Sequence, residues 1–273
     1  MRINRMKKLI IAIVAILVIG LLAGCGGGAK KDSGSDLDYI KNNGAIKIGI
    51  TIYAPMNYYD DSGVLVGFDT EFATALCEQL GVTPDFVEIN WDTKEVELAA
   101  KNIDCIWNGL TVTEERRENM AFTDPYLLNR QVAVIRVADQ GKYTSLESLA
   151  DAKLCAESGS AGETAIVDDE ILGGANYTAL PAQTDTLMEV KAGTSDIAVL
   201  DYTAANALVG AGTSYDDLMI LASIELAPEE YAIGFRIGSD IVPEANKLID
   251  GLFADGTLAR IAATYDVTEL LPQ

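Results

Sequence analysis

From Ile46 onward the hydrophobic positions form short β-branched runs separated by stretches of helical spacing: IKIGITI, GFDTEFATALCEQLG, TPDFVEI, DTKEVELAAKN and IDCIWNGL. Strands alternating with helices predict an α/β fold with a parallel-rich sheet. In the first helical stretch Phe68, Phe72, Ala75, Leu76 and Leu80 recur on one face, while Asp69, Glu71 and Glu78 fall on the other. With Gly81 as its stop, this segment reads as an amphipathic helix packed on the sheet. In the next unit Val96 with Ala99 or Ala100 repeats the apolar face, and Asp92 stands at the N-cap.

A second alternation starts near Gln131: QVAVIRV, SLESLADA, KLCAES, a glycine-broken helix from Gly162, NYTAL, TDTLMEVKAG, SDIAVLD and TAANALVG. YAIGFRI then reads as a returning strand, followed by helices over Pro243 to Phe253 and Thr257 to Tyr265. The pattern predicts two lobes: residues 37–130 with 233–273, and residues 131–232. A lobe that is left and re-entered needs two crossings, placed at Asn129 to Ala133 and Glu230 to Ile233, and paired crossings make a hinge. No fixed-period repeat is present.

The chain opens with Arg2, Arg5, Lys7 and Lys8 before an uncharged run from Leu9 to Ala29, the layout of an export signal. Leu22-Ala23-Gly24-Cys25 resembles the bacterial lipoprotein processing box, which implies a signal peptide over residues 1–24 and a diacylglyceryl group on Cys25. Two acyl chains suffice for stable anchoring to the outer face of the cell membrane. An uncleaved membrane helix is the alternative, but Gly24 to Gly28 would end it poorly in lipid. Either way the basic start stays inside and the remainder lies outside the cytoplasm. Residues 25–36 are small and polar and read as a flexible tether.

Loss of residues 1–24 removes four bases and no acids, taking the formal charge from −21 to −25. Such a surface repels nucleic acid and anionic lipid alike. The chain has no histidine, which excludes Ser-His-Asp and Cys-His sites and removes the commonest metal ligand. Cys77, Cys105 and Cys155 lie far apart without CxxC spacing, so neither a zinc site nor any cofactor is expected. The apolar surroundings of Cys77 and Cys105 suit buried thiols, and a disulfide between any two of the three stays open.

Gly67-Phe68-Asp69-Thr70-Glu71-Phe72 resembles the signature of the polar amino acid family of ABC-transporter solute-binding proteins. IDCIWNGLTVTEERRENMAFTDPYLLNRQVAVIR, ESGSAGETA, GTSDIAVLDYTAANAL and EEYAIGFR with DGTLARIAATY resemble further blocks in the same order, over roughly residues 37 to 270. The resemblance implies a two-lobed type II periplasmic-binding-protein flytrap that closes on an amino acid and delivers it to an ABC importer permease. It implies a monomer that transforms nothing.

By position, Arg116 aligns with the family's carboxylate-binding arginine, whose planar fork holds both oxygens. Asp201, ending IAVLD, aligns with the acid that receives the amine, so a zwitterion cross-links the lobes. Gly109 would offer its carbonyl to the amine, and Thr111 its hydroxyl and N–H, with Asn108 alongside. Ser160 and Ala161 stand at a helix start that favours a carboxylate. Tyr53 and Trp91 match positions whose aromatic faces enclose the ligand side chain. Taken singly each has a duller reading: a solvated arginine, a capping aspartate, a core tryptophan. Two departures bear on the ligand. The first loop, ITIYAPM, lacks the aspartate found in many relatives that bind basic or amide side chains, and Glu157 stands where relatives contact the side chain. An acid there disfavours glutamate and aspartate and admits neutral polar or basic ligands. Some relatives bridge a cysteine pair; here Cys77 stands at one of those positions, but Pro84 occupies the other.

Two rival functions fit the same fold. A few relatives dehydrate cyclic acids with cleft carboxylates, for which Glu157 is the one candidate here. A signalling receptor module would carry a further membrane segment or cytoplasmic domain, which this sequence does not show up to Gln273.

Overall fold

The computed structural model describes residues 34–272. The export segment, Cys25 and most of the tether lie outside the described residues. Ser35 caps the helix Asp36–Asn43 by accepting from the Asp38 N–H, so the last residues assigned to the tether belong to the folded body.

The strands run in chain order as β1 (Ala45–Ile50), β2 (Tyr58–Tyr59), β3 (Leu65–Val66), β4 (Thr83–Glu88), β5 (Cys105–Ile106), β6 (Met120–Phe122), β7 (Leu127–Arg136), β8 (Lys153–Glu157), β9 (Asn176–Leu180), β10 (Ile197–Asp201), β11 (Leu218–Tyr231) and β12 (Gly234–Arg236). One five-stranded sheet has the order β4-β1-β5-β12-β6 and the other β11-β7-β10-β8-β9. The expected two-lobed α/β architecture is therefore present. β1 runs parallel to β4 and β5, and β8 runs parallel to β9 and β10. β12, formed after the chain has left the second sheet, pairs antiparallel with β5 and β6 in the first.

β7 and β11 carry the chain out and back as an antiparallel pair with Leu127 opposite Tyr231 and Asn129 opposite Glu229. All five residues of β10 are buried, as expected of a central strand covered on both faces. The first sheet packs on the helix Phe68–Leu80, where Phe72 meets Trp107 edge-on at 4.9 Å between ring centres. Ile135, Leu154, Ile166, Ile197 and Val199 form a separate core cluster in the second lobe.

Three local expectations are corrected. Asp69 is fully buried, not on a solvent face, because the Gly109 N–H and the Tyr126 hydroxyl donate to it at 2.6 and 3.0 Å. In the helix Lys94–Ala99 the inward face is Lys94 and Leu98, while Val96, Ala99 and Ala100 are exposed. The cap of the preceding 3-10 turn Trp91–Thr93 is Asn90, whose Oδ1 accepts from the Asp92 N–H at 2.9 Å. Cys77, Cys105 and Cys155 are buried free thiols. Among the described residues no cluster of metal ligands occurs, and no helix is long and apolar enough to cross a membrane.

Candidate functional site

Strand ends position most of the site. In the first lobe the chain turns after β5, and Gly109 takes φ +54° there. A Cβ at Gly109 would lie 1.8 Å from the Tyr53 hydroxyl, so only glycine lets backbone and phenol meet. Asp69 holds the Gly109 N–H from beneath, leaving the Gly109 carbonyl free of that anchor. Asn108 is fully engaged by the fold: Oδ1 accepts from the Thr51 N–H and hydroxyl, and Nδ2 donates to Thr51 O and Asn57 Oδ1.

Arg116 lies in the short helix Glu114–Asn119, whose N-cap Thr113 accepts from the Arg116 N–H. It is only 7 % exposed, because its guanidinium turns inward and donates to Thr111 O at 2.8 Å and Gly159 O at 3.0 Å. Lys94, equally buried, stacks 4.9 Å from the Trp91 ring centre and donates to the same Gly159 carbonyl at 2.9 Å. Two cations of the first lobe thus reach one peptide oxygen of the second.

The second wall is acidic. Glu157 ends β8, Ser160 caps the helix Ala161–Val167, and Gln183 opens the helix Gln183–Ala192. Asp201 ends β10 and accepts from Asn129 Nδ2 at 3.0 Å, from Gln131 Nε2 at 2.6 Å and from Gln183 Nε2. Burial raises the pKa of Asp201, and its amide donors partly offset that rise. Glu157 is pushed up to about 8, chiefly by burial and then by the Asp201 charge, against the opposing pull of Lys94. Burial and the Arg116 charge bring Lys94 down to about 8.

The structure brings every residue expected to touch the ligand onto one narrow cavity: Tyr53, Trp91, Asn108, Gly109, Thr111, Arg116, Glu157, Ser160, Ala161 and Asp201. Thr51 and Gln183 complete the lining. The Tyr53 hydroxyl, buried on this cavity, has no hydrogen-bond partner.

A profile of the bacterial extracellular solute-binding proteins, family 3, matches residues 46–268. This chain belongs to that family. Like other family 3 proteins it binds a solute outside the cytoplasm and is not an enzyme. It is 25% identical to the L-cystine-binding protein TcyJ of Escherichia coli, over 94% of this chain and 97% of the relative. It is 29% identical to the L-cystine-binding protein TcyA of Bacillus subtilis, over 95% and 97% respectively. A histidine-bound substrate-binding protein of an ABC uptake transporter from Streptococcus pneumoniae superposes with TM-score 0.80 at 28% identity, covering 88% of this chain and all (100%) of that one. An ancestral amino acid-binding protein described as a precursor of cyclohexadienyl dehydratase superposes with TM-score 0.76 at 26% identity, covering 85% and 99%.

Sequence reasoning missed Thr51, Lys94, Asn129, Gln131, Gln183 and Glu229 in this family 3 site. One signal was present: in LLNRQV, Asn129 and Gln131 sit two apart on a strand and so share a face, with Arg130 on the other. Glu229 gave no such sign, because the groups it meets, Thr111, Asn129 and Gln131, lie about a hundred residues away.

Proposed function

We propose that the protein captures a single polar amino acid as a zwitterion and passes it to the permease of an ABC importer. One observation carries this reading: Arg116 on one wall and Asp201 on the other face the same cavity, where charge buried without a partner is costly. The ligand carboxylate meets Arg116, with Ser160 and Ala161 at their helix start. Its amine meets Asp201, the Gly109 carbonyl and Thr111, and Tyr53 and Trp91 enclose the side chain. Asn108 acts as a strut, since its polar atoms are already bonded.

Glu157 sets the side-chain class. It lies on the cavity at 4 % exposure without a hydrogen-bond donor from the protein and is pushed up to about 8 by burial, so a cationic side chain that ionises it or a neutral polar one that bonds it fits better than glutamate or aspartate, whose added charge resists joint ionisation. The cystine-binding relatives and the histidine-bound structure named above agree with that class. The lobes divide as residues 37–130 with 233–273 and residues 131–232, hinged on β7 and β11. The mature chain is a monomer, anchored through lipid on Cys25 and held off the membrane by the tether.

A thermal-shift screen against the common amino acids and L-cystine, followed by calorimetry, tests the reading. A shift confined to neutral polar or cationic amino acids is expected. No shift with any amino acid would sink the function, and nanomolar binding of glutamate would sink the role of Glu157.

A further inference from the structure

Glu229 lies on the returning strand β11, 8 % exposed, and has no place in the amine site as proposed above. Its carboxylate meets the same two amide groups as Asp201. Asn129 Nδ2 donates to Asp201 Oδ1 at 3.0 Å and to Glu229 Oε2 at 2.8 Å. Gln131 Nε2 donates to Asp201 Oδ1 at 2.6 Å and to Glu229 Oε1 at 3.0 Å. Each amide therefore spends one hydrogen on each acid. Thr111, from the opposite wall, donates to Glu229 Oε2 at 3.1 Å.

The Arg116 guanidinium attracts both acids but donates its hydrogen bonds to carbonyls. Two carboxylates thus share their donors without a bonded cation. Two neighbouring observations point to a missing partner: the unpartnered Tyr53 hydroxyl on the cavity and the unpartnered Gln131 Oε1.

We propose that Asp201 and Glu229 work as one unit, which carries a proton in the ligand-free cleft and releases it to solvent when the solute's ammonium arrives. No bond other than that to the proton changes, and the incoming positive charge replaces the outgoing one. The inference rests on the reading of Asp201 as the amine site. Close like charges resist joint ionisation, and their titration belongs to the pair. Burial and then the Asp201 charge raise Glu229 to about 8, in the sense the pair requires. The other charged or titratable groups facing the pair are Arg116, Glu157, Tyr53 and Tyr231, with Asp168 and Asp169 on the groove beside Glu229.

Binding a cation stabilises the deprotonated pair, so affinity rises with pH until the pair is ionised in the free protein. The purified full-length protein is titrated with L-arginine, L-histidine and L-cystine by calorimetry at about pH 7 and about pH 9, in buffers of different ionisation enthalpy. Release of close to one proton per solute is expected at the lower pH and, once the proton taken up by the solute's own amine is subtracted, close to none at the higher, with affinity for the ammonium form tightening by at most about tenfold per pH unit. Glu229→Gln keeps an oxygen for Thr111 and should abolish the proton release and flatten the pH profile. If Glu157→Gln abolishes the release and Glu229→Gln does not, Glu157 is the source and the pair is wrong. Independently of any solute, ¹³C-carboxyl NMR of glutamate-labelled protein should show a resonance, missing in Glu229→Gln, that titrates above about pH 6.5. Titration in the ordinary glutamate range near 4.3 overturns the pair. Failure of all three solutes to bind sinks the amine-site reading and with it the release step, while the NMR result alone decides the ligand-free pair.

Discussion

The two walls of the cavity are built on opposite plans. The first-lobe wall presents buried cations, Arg116 and Lys94, on a frame of fixed backbone: Gly109 pinned by Asp69, and Asn108 tied to Thr51 and Asn57. The second-lobe wall presents the carboxylates Glu157 and Asp201, with side-chain amides as the support of Asp201. Segregating charge by wall lets each lobe fold without an internal ion pair at the site, and makes the cleft attract itself when it shuts. A zwitterion fits such a cleft in one orientation, which a mixed wall would not enforce.

Removing the first wall's main cation should break this contrast most severely. Arg116→Ala leaves the acids facing an unpaired ligand carboxylate, and loss of one partner of a buried charge pair costs roughly 3–5 kcal/mol. Amino acid affinity in calorimetry should then fall at least a hundredfold, and a drop below tenfold would overturn the assignment. Gly109→Ala attacks the rigid frame, since the new Cβ meets the Tyr53 hydroxyl at 1.8 Å with φ at +54°. Overpacking of this kind costs about 1–3 kcal/mol, readable by chemical denaturation, and Tyr53→Phe in the same chain should recover part of it.

Lys94→Met keeps the packing on Trp91 and deletes the hydrogen bond to Gly159 across the cleft. At about 1 kcal/mol for such a bond, affinity should weaken five- to tenfold and small-angle scattering should show a larger ligand-free particle. Unchanged values would mean that the cations do not draw the walls together. The smallest expected effect on binding is that of Asp69→Asn. Burial holds Asp69 up at about 7, so its contribution to stability is complete below about pH 4 and is lost as pH rises through 7. The variant should flatten the fall of Tm between pH 4 and 7.

The alternation of strands and helices was legible because each element declares itself over a few neighbouring residues. The helix Phe68–Leu80 shows both the strength and the limit of that local code. Phe68, Phe72, Leu76 and Leu80 pack as their spacing demands, yet Asp69 is buried by donors 40 and 57 residues away, which no helical period can reveal. At Lys94–Ala99 the period chose the wrong face, because a cation needed at the cleft and Leu98 turn inward while Val96 stays in water. The cavity lining was legible through ordered family blocks and not through any single residue. Glu229 and Lys94 escaped because their meaning depends on contacts made only when the crossing strands and the opposite loop come together.

The peptide oxygen of Gly159 accepts from both Arg116 and Lys94 across the cleft. The protein therefore carries an internal rival for Arg116, the cation assigned to the ligand carboxylate, and capture becomes an exchange. Observed affinity is then the intrinsic value divided by the strength of that rival. The concentration at which uptake switches on can be retuned at the Gly159 turn by residues that never touch the cargo, and the cargo is handed on without opposing the full grip of a bare guanidinium.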